Sequence, residues 1–199
     1  YNKKADGSFE PLSQQNVDTG MGLERTLMAF NKLKDVFEVD TFWPLIEEIQ
    51  KITGKDYRAD ENTTKSMRIV ADHIRTATMI MADDRQVAPS NMDQGYIVRR
   101  LIRRAVRHAR LLGAQDKFTS QISLKVIEIF KEVYPEVQRN KDFILKQLEL
   151  EEEKFNQTIS KGVKEFERVS GRVENKVIEG SDAFQLFSTY GFPLEMTKE

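Results

Sequence analysis

Cysteine is absent from the 199 residues, which excludes a disulfide framework, a thiol nucleophile and any zinc site built on thiolates. Only two histidines are present, His73 and His108, too few to build a metal site alone. No apolar run approaches the ~20 residues of a bilayer span, and the opening YNKKADGSFEPL lacks the apolar core of a signal peptide. No membrane partner is expected, and a reducing, cytoplasmic setting is. Glycine and proline are sparse, 10 and 5 residues, and 31 basic residues nearly balance 32 acidic ones for a net charge of −1. Low complexity and charge-driven disorder are therefore excluded, leaving a soluble, helix-rich globular chain. It also lacks an initiator methionine and opens as if in mid-sequence, so an internal piece of a longer protein is expected.

What is present begins with a turn. KKADGSFEPL carries the hairpin dipeptide Asp6-Gly7, and a short extended run into Asn16-Val17-Asp18 precedes the break at Thr19-Gly20-Met21-Gly22. From Leu23, apolar residues recur at helical spacing, so a strand, a glycine turn and a helix are expected in order. Helical periodicity then dominates, over 41–52 with a stop at Gly54, over 64–81 with the stripe Met67, Val70, Ala71, Ile74, Ala77 and Met81, and over 118–134. The longest periodic stretch, 140–171, reads as an arm along a bundle or a helix that pairs between molecules, so oligomeric state stays open. RVENKVIEG is the only late candidate for a strand, and Ser181-Asp182 an N-cap for a short helix after it. The fold class is mainly α, a helical bundle with a small β remnant at the N-terminus.

Against the near-neutral total, residues 99–110 hold six arginines. At 100° per residue, Arg99, Arg110, Arg103, Arg107, Arg100 and Arg104 fall at roughly 0, 20, 40, 80, 100 and 140°. The apolar residues Val98, Leu101, Ile102, Ala105, Val106, Ala109 and Leu112 fall between about 200 and 340°. Such a helix has one dry face and one guanidinium face, whose like charges repel. Two readings remain open: ion pairs with the chain's own acids, such as Glu149 and Glu151 to Glu153, or a polyanion, since arginine forks match phosphate oxygens. Just ahead, Pro89-Ser90-Asn91 forms a polar turn, and Gly95 lets the chain bend into the helix. Asn91 suits either an Asx-turn or N-cap role, or base readout beside backbone anchoring.

NVDTGMGLER, residues 16–25, is the other candidate for chemistry. Gly20 and Gly22 let a ligand approach the backbone, Asp18 offers an anion to an ammonium group, and Arg25 on the opening helical turn suits a nucleotide phosphate. The pattern is not a dinucleotide fingerprint, because no third glycine and no βαβ unit follow. A solvated Glu24–Arg25 surface with a structural Asp18 is the plainer alternative.

Taken together, these stretches resemble one family. GMGLER is similar to the third signature motif of class II aminoacyl-tRNA synthetases, and NVDTGMGLER with ADHIRT (71–76), PSNMDQGYIVRRLIRRAVRHARLLGA (89–114) and TYGFPLEMT resembles the alanyl-tRNA synthetase family in order across essentially the whole chain. The resemblance implies that residues 1–40 are the end of a catalytic domain and 41–199 a helical domain reading the tRNA acceptor stem. Asp18 would meet the alanine ammonium, Gly20 and Gly22 line the pocket floor, and Arg25 contacts ATP. Asn91 would read the G·U wobble pair, with Arg99, Arg100, Arg103, Arg104 and Arg107 along the stem backbone. Where the family usually has an aspartate before TYGFP, this chain has Ser188, so half of the wobble readout is uncharged. The resemblance implies an alanine–tRNA ligase activity for the parent protein, using alanine, ATP with Mg2+ and tRNA. The remaining class II motifs would lie upstream and an editing domain downstream. No catalytic or metal-ligating residue is assigned to this piece, which is expected to be inactive and to retain no cofactor.

Overall fold

The computed structural model describes all residues except 15, 16, 18, 116, 173–176, 190–193, 195, 196, 198 and 199. Its chain divides into two compact units, Tyr1–Val39 and Asp40–Glu199.

In the first unit, strands β1 (Asn2–Lys3) and β2 (Phe9–Glu10) pair antiparallel, Asn2 opposite Glu10 and Lys3 opposite Phe9. The turn forms where Asp6-Gly7 suggests. Gly7 takes a positive φ of 84°, and the Asp6 carboxylate accepts hydrogen bonds from the Ser8 amide at 2.9 Å and the Ser8 hydroxyl at 2.6 Å. These bonds hold the Asp6 carboxyl below its ordinary value. The extended run expected at 16–18 lies largely outside the described residues. Helix α1 (Leu23–Phe30) starts from Gly22 as N-cap, and a 3-10 turn over Val36–Glu38 is capped by Asp35, which accepts from the Phe37 amide at 2.8 Å.

The second unit is a helical bundle. Helix α2 (Trp43–Thr53) begins with proline in its first turn and ends on Gly54 in the left-handed region. Helix α3 (Glu61–Ala82) is capped by Asp60, which accepts from the Thr63 amide at 2.9 Å. After α3 come α4 (Asp93–Leu111), α5 (Phe118–Phe130), α6 (Pro135–Arg139), α7 (Lys141–Ser170) and α8 (Gly180–Ser188). The β portion is confined, among the described residues, to the one hairpin, so the class is mainly α, as the periodicities imply.

Helix α3 is the central element, packed against α2, α4, α5, α6 and α7. The whole stripe expected on it is fully buried, meeting Leu45, Ile46 and Ile49 of α2 and Val98, Ile102 and Val106 of α4 in one core. Ile144, Leu148 and Phe155 of α7 are buried as well, and α7 lies along α3, α4 and α5, which realises the arm reading.

Three local expectations are corrected. The helix expected over 118–134 stops at Phe130, because Tyr134 precedes Pro135 and leaves the helical region (φ −125°, ψ 81°). The last helix starts on Gly180 from an extended Glu179, without a side-chain cap, so Ser181 and Asp182 lie inside its first turn and do not cap it. Gly95 lies inside the first turn of α4 instead of ahead of it. The late strand expected around RVENKVIEG has its centre outside the described residues, and the residues after it belong to no strand.

Candidate nucleic-acid interface

Helix α4 is positioned by its dry face. Val98, Ile102, Ala105, Val106 and Ala109 are buried, and His108 is held in the α3–α4 seam with its Nδ1 3.2 Å from Ser66 Oγ. Docking that face leaves the arginine arc on the opposite side of α4.

The arc divides by row. Arg99, Arg103 and Arg107, four residues apart, are half-buried, whereas Arg100, Arg104 and Arg110 are exposed. In the inner row, Nε of Arg103 donates to Oε1 of Glu151 on α7 at 2.6 Å, and Nε of Arg99 lies 3.4 Å from the same oxygen. Glu151 is 6% exposed, and the Arg103 guanidinium also stands 5.0 Å from the centre of the Phe155 ring. In the outer row, Arg100 sits 5.8 Å over Tyr96. Arg104 contributes to holding the Asp72 carboxyl below its ordinary value, after the hydrogen bond from His73, whose Nδ1 is 2.9 Å away, and the charges of His73 and Arg75, all opposed by partial burial. Of the two readings left open by the sequence, the internal ion pair thus takes Arg99 and Arg103 and leaves Arg100, Arg104 and Arg110 facing solvent.

Sequence reasoning named Glu151 to Glu153 as one acidic run and missed that its members do different work. Glu152, 2% exposed, turns to the start of α5. Its carboxylate accepts from the amides of Lys117 at 2.6 Å, Phe118 at 3.4 Å and Thr119 at 3.1 Å, and from the Thr119 hydroxyl at 2.5 Å. A helix with no cap from its own preceding residue is capped by an acid 33–35 positions away. The available signal was two adjacent acids breaking the apolar stripe between Leu148 and Phe155.

The tip ahead of α4 is built by Ser90. Its hydroxyl donates to the Met92 carbonyl at 2.9 Å and accepts from the Met92 amide at 3.2 Å, and its own amide donates to the Gly95 carbonyl at 3.0 Å. The turn-forming role weighed for Asn91 therefore belongs to Ser90, and the N-cap is Met92. Asn91 is exposed, and its amide makes no hydrogen bond among the described residues. Asp93 enters the helix at φ 49°, a conformation aspartate tolerates better than most residues. Gly95 packs directly under the turn: a Cβ there would lie 2.9 Å from Ser90 Cβ, and closer still to the Ala88 carbonyl oxygen and Ser90 Oγ. No other residue fits without moving the tip.

Ser188, the last residue of α8, is exposed, and among the described residues no hydrogen bond joins it to Asn91. In the first unit, Asp18 lies outside the described residues. Gly22 accepts through its carbonyl from the Thr26 amide at 2.9 Å and hydroxyl at 3.0 Å. A Cβ at Gly20 would meet nothing within 4 Å. Arg25 is exposed beside a shallow concavity formed with Met21, Gly22, Thr26, Ala29 and Phe30. Open backbone, a helix start without a side-chain cap and one free-standing guanidinium suit an anionic phosphate, so these residues fit a nucleotide.

A family model described as tRNA synthetases class II (A) matches residues 1–199, the full chain. The chain belongs to that family. Among curated relatives of this synthetase family, the alanine–tRNA ligase of Borreliella afzelii is 43% identical over 199 residues and that of Treponema pallidum 44% over 202. Alanine–tRNA ligase 1 of Lachnoclostridium phytofermentans is 42% identical over 202 residues. Each alignment covers 100% of this chain but only 34%, 33% and 23% of the respective relative, so the chain spans about a quarter to a third of their length. No helix among the described residues is long and apolar enough to cross a membrane.

Proposed function

We propose that this chain is the part of an alanine–tRNA ligase that holds the tRNA acceptor stem and supplies the third-motif portion of the ATP and alanine site. The parent protein would work in the cytoplasm. There alanine attacks the α-phosphate of ATP, pyrophosphate leaves, and the terminal ribose of the tRNA then takes the acyl group from the adenylate with release of AMP. Residues 1–40 would form the catalytic remnant, with Asp18 meeting the alanine ammonium, Gly20 and Gly22 lining the floor of the ligand pocket and Arg25 contacting ATP, which the parent enzyme would use with Mg2+. Residues 41–199 would form the stem-binding domain. The isolated 199-residue chain would not activate alanine by itself; pyrophosphate exchange dependent on alanine and catalysed by that chain would overturn this.

The observation that carries the RNA reading is the pairing of a free Asn91 amide, on a tip locked by Ser90 and Gly95, with the exposed outer arginine row immediately after it. Phosphate anchoring without sequence content beside one polar reader is the division of labour expected of a nucleic-acid contact. Arg100 and Arg104 lead the anchoring set, and Arg99, Arg103 and Arg107, half-buried behind them, contribute less. Replacing Arg100 and Arg104 by alanine should flatten the dependence of log K on log salt by roughly 1–2, from about 0.7–0.9 per phosphate released. Asn91→Ala should erase the preference for a G·U over a G·C stem while leaving the salt slope intact. Equal weakening of every RNA by both changes would refute the division. A second reading, favoured by the Glu151 contacts, is that the arginines only clamp the bundle; an unchanged salt slope in the Arg100/Arg104 variant would establish it.

A further inference from the structure

Two members of the inner arginine row, Arg99 and Arg103, share a single buried acid, and that arrangement has a use beyond holding α7 to α4. Glu151 accepts from Arg103 at 2.6 Å and lies 3.4 Å from Arg99, and the two arginine side chains are only 17% and 26% exposed. The Phe155 ring lies beside the Arg103 guanidinium, leaving little of it for water or a ligand. No neighbouring acid can stand in for Glu151. Glu152 is committed to the α5 amides, and Glu149 and Glu153, each two residues away, point roughly 160° round the helix from it and are exposed.

From this we infer that Glu151 is a specificity-determining counter-anion: it withdraws Arg99 and Arg103 from phosphate contact, so that the domain's grip on RNA backbone is too weak to hold stems that Asn91 does not accept. This deepens, and rests on, the reading of α4 as an acceptor-stem anchor. Sequence-independent affinity grows with every phosphate neutralised. A helix offering all six arginines would hold any duplex strongly, and the fraction of the binding free energy that depends on the base pair would shrink. Two cations sharing one buried anion leave a net charge of one where the helix alone would show two. Arg100, with no carboxylate partner among its described contacts, keeps its full charge near the Asn91 tip.

The experiment measures binding of three RNAs by the full 199-residue chain across a salt series: a G·U acceptor-stem hairpin, its G·C counterpart and an unrelated hairpin of equal length. Glu151→Gln should raise affinity for all three, most for the unrelated hairpin, steepen the salt slope by roughly 1–2, and narrow the G·U over G·C ratio. In a background carrying Arg99→Gln and Arg103→Gln, the same Glu151→Gln change should do nothing to binding. A second comparison holds even where Glu151→Gln folds poorly. Arg99→Gln with Arg103→Gln should flatten the wild-type slope by less than half as much as Arg100→Gln with Arg104→Gln. An equal flattening by the two pairs, or an unaltered slope in folded Glu151→Gln, would overturn the role of Glu151 while leaving the stem anchor standing. Failure of the wild-type chain to bind any of the three RNAs would instead remove the anchor itself, and the counter-anion with it.

Discussion

Gly95→Ala is the change whose sign distinguishes a packing requirement from ordinary helix chemistry. On an open helix surface, alanine replaces glycine with a gain of up to about 1 kcal/mol, because the backbone loses less entropy on folding. Here the added methyl would sit 2.9 Å from Ser90 Cβ, so restoring a carbon–carbon separation of about 3.5 Å requires a retreat of roughly 0.6 Å. The Ala88 carbonyl is backbone and is crowded more severely, so a rotamer change in Ser90 alone does not relieve the clash. Moving the turn stretches the Ser90 amide bond to the Gly95 carbonyl and the two bonds between Ser90 Oγ and Met92, each with a net value of about 0.5–1.5 kcal/mol. Overpacking of this kind costs about 1–3 kcal/mol, which outweighs the propensity gain and leaves a net destabilisation of about 1–2 kcal/mol. Urea unfolding gives that quantity directly. The same displacement carries Asn91, so discrimination between G·U and G·C stems should fall together with stability while the salt slope of binding is retained. A variant as stable as the wild type or more so, with its discrimination intact, would refute the reasoning, since it would mean that the tip accommodates a side chain at Gly95.

Other perturbations follow from single contacts. Glu152→Gln exchanges a charged acceptor of four hydrogen bonds for an amide with one acceptor oxygen, and should destabilise the bundle by about 2–4 kcal/mol, visible in thermal unfolding as early loss of α5 protection in hydrogen exchange. Asp72 has a carboxyl held below its ordinary value of 3.8 by His73 and the nearby arginines. Its contribution is therefore fully present above that value and is lost as pH falls through the lowered one, so Asp72→Asn should flatten the acid limb of a stability–pH curve; an identical limb would show that the pair does not matter. Ser188→Asp, which installs the family's usual residue, should widen the G·U preference in RNA binding, and no change would mean that this position lies off the wobble pair.

Much of the molecule was legible in local pattern. The Asp6-Gly7 hairpin, the buried stripe of α3 and the two faces of α4 follow from turn chemistry and a 3.6-residue period, which act over a few residues and leave their mark in the order of side chains. Gly54 closing α2 and Pro135 separating α5 from α6 belong to the same class. The helix start at Asp93 was misplaced because Gly95 reads locally as a breaker, whereas its value lies in the close approach of residues 88–90. Ser90, not Asn91, closes the tip, and the two residues are equally plausible turn formers until the backbone is in place.

The partition of the arginines belongs to the tertiary structure. Six guanidiniums on one arc is a property of helical geometry alone, and the sequence determined it by itself, together with the class of fold and the family. Which of them face solvent depends on a carboxylate 48 positions away from Arg103, brought there because Ile144, Leu148 and Phe155 seat α7 in the core. Charges interact through space and not along the chain, so Glu151 and Glu152, indistinguishable as neighbours in a run of acids, were assigned to an arginine pair and a helix start only when α4, α5 and α7 packed together.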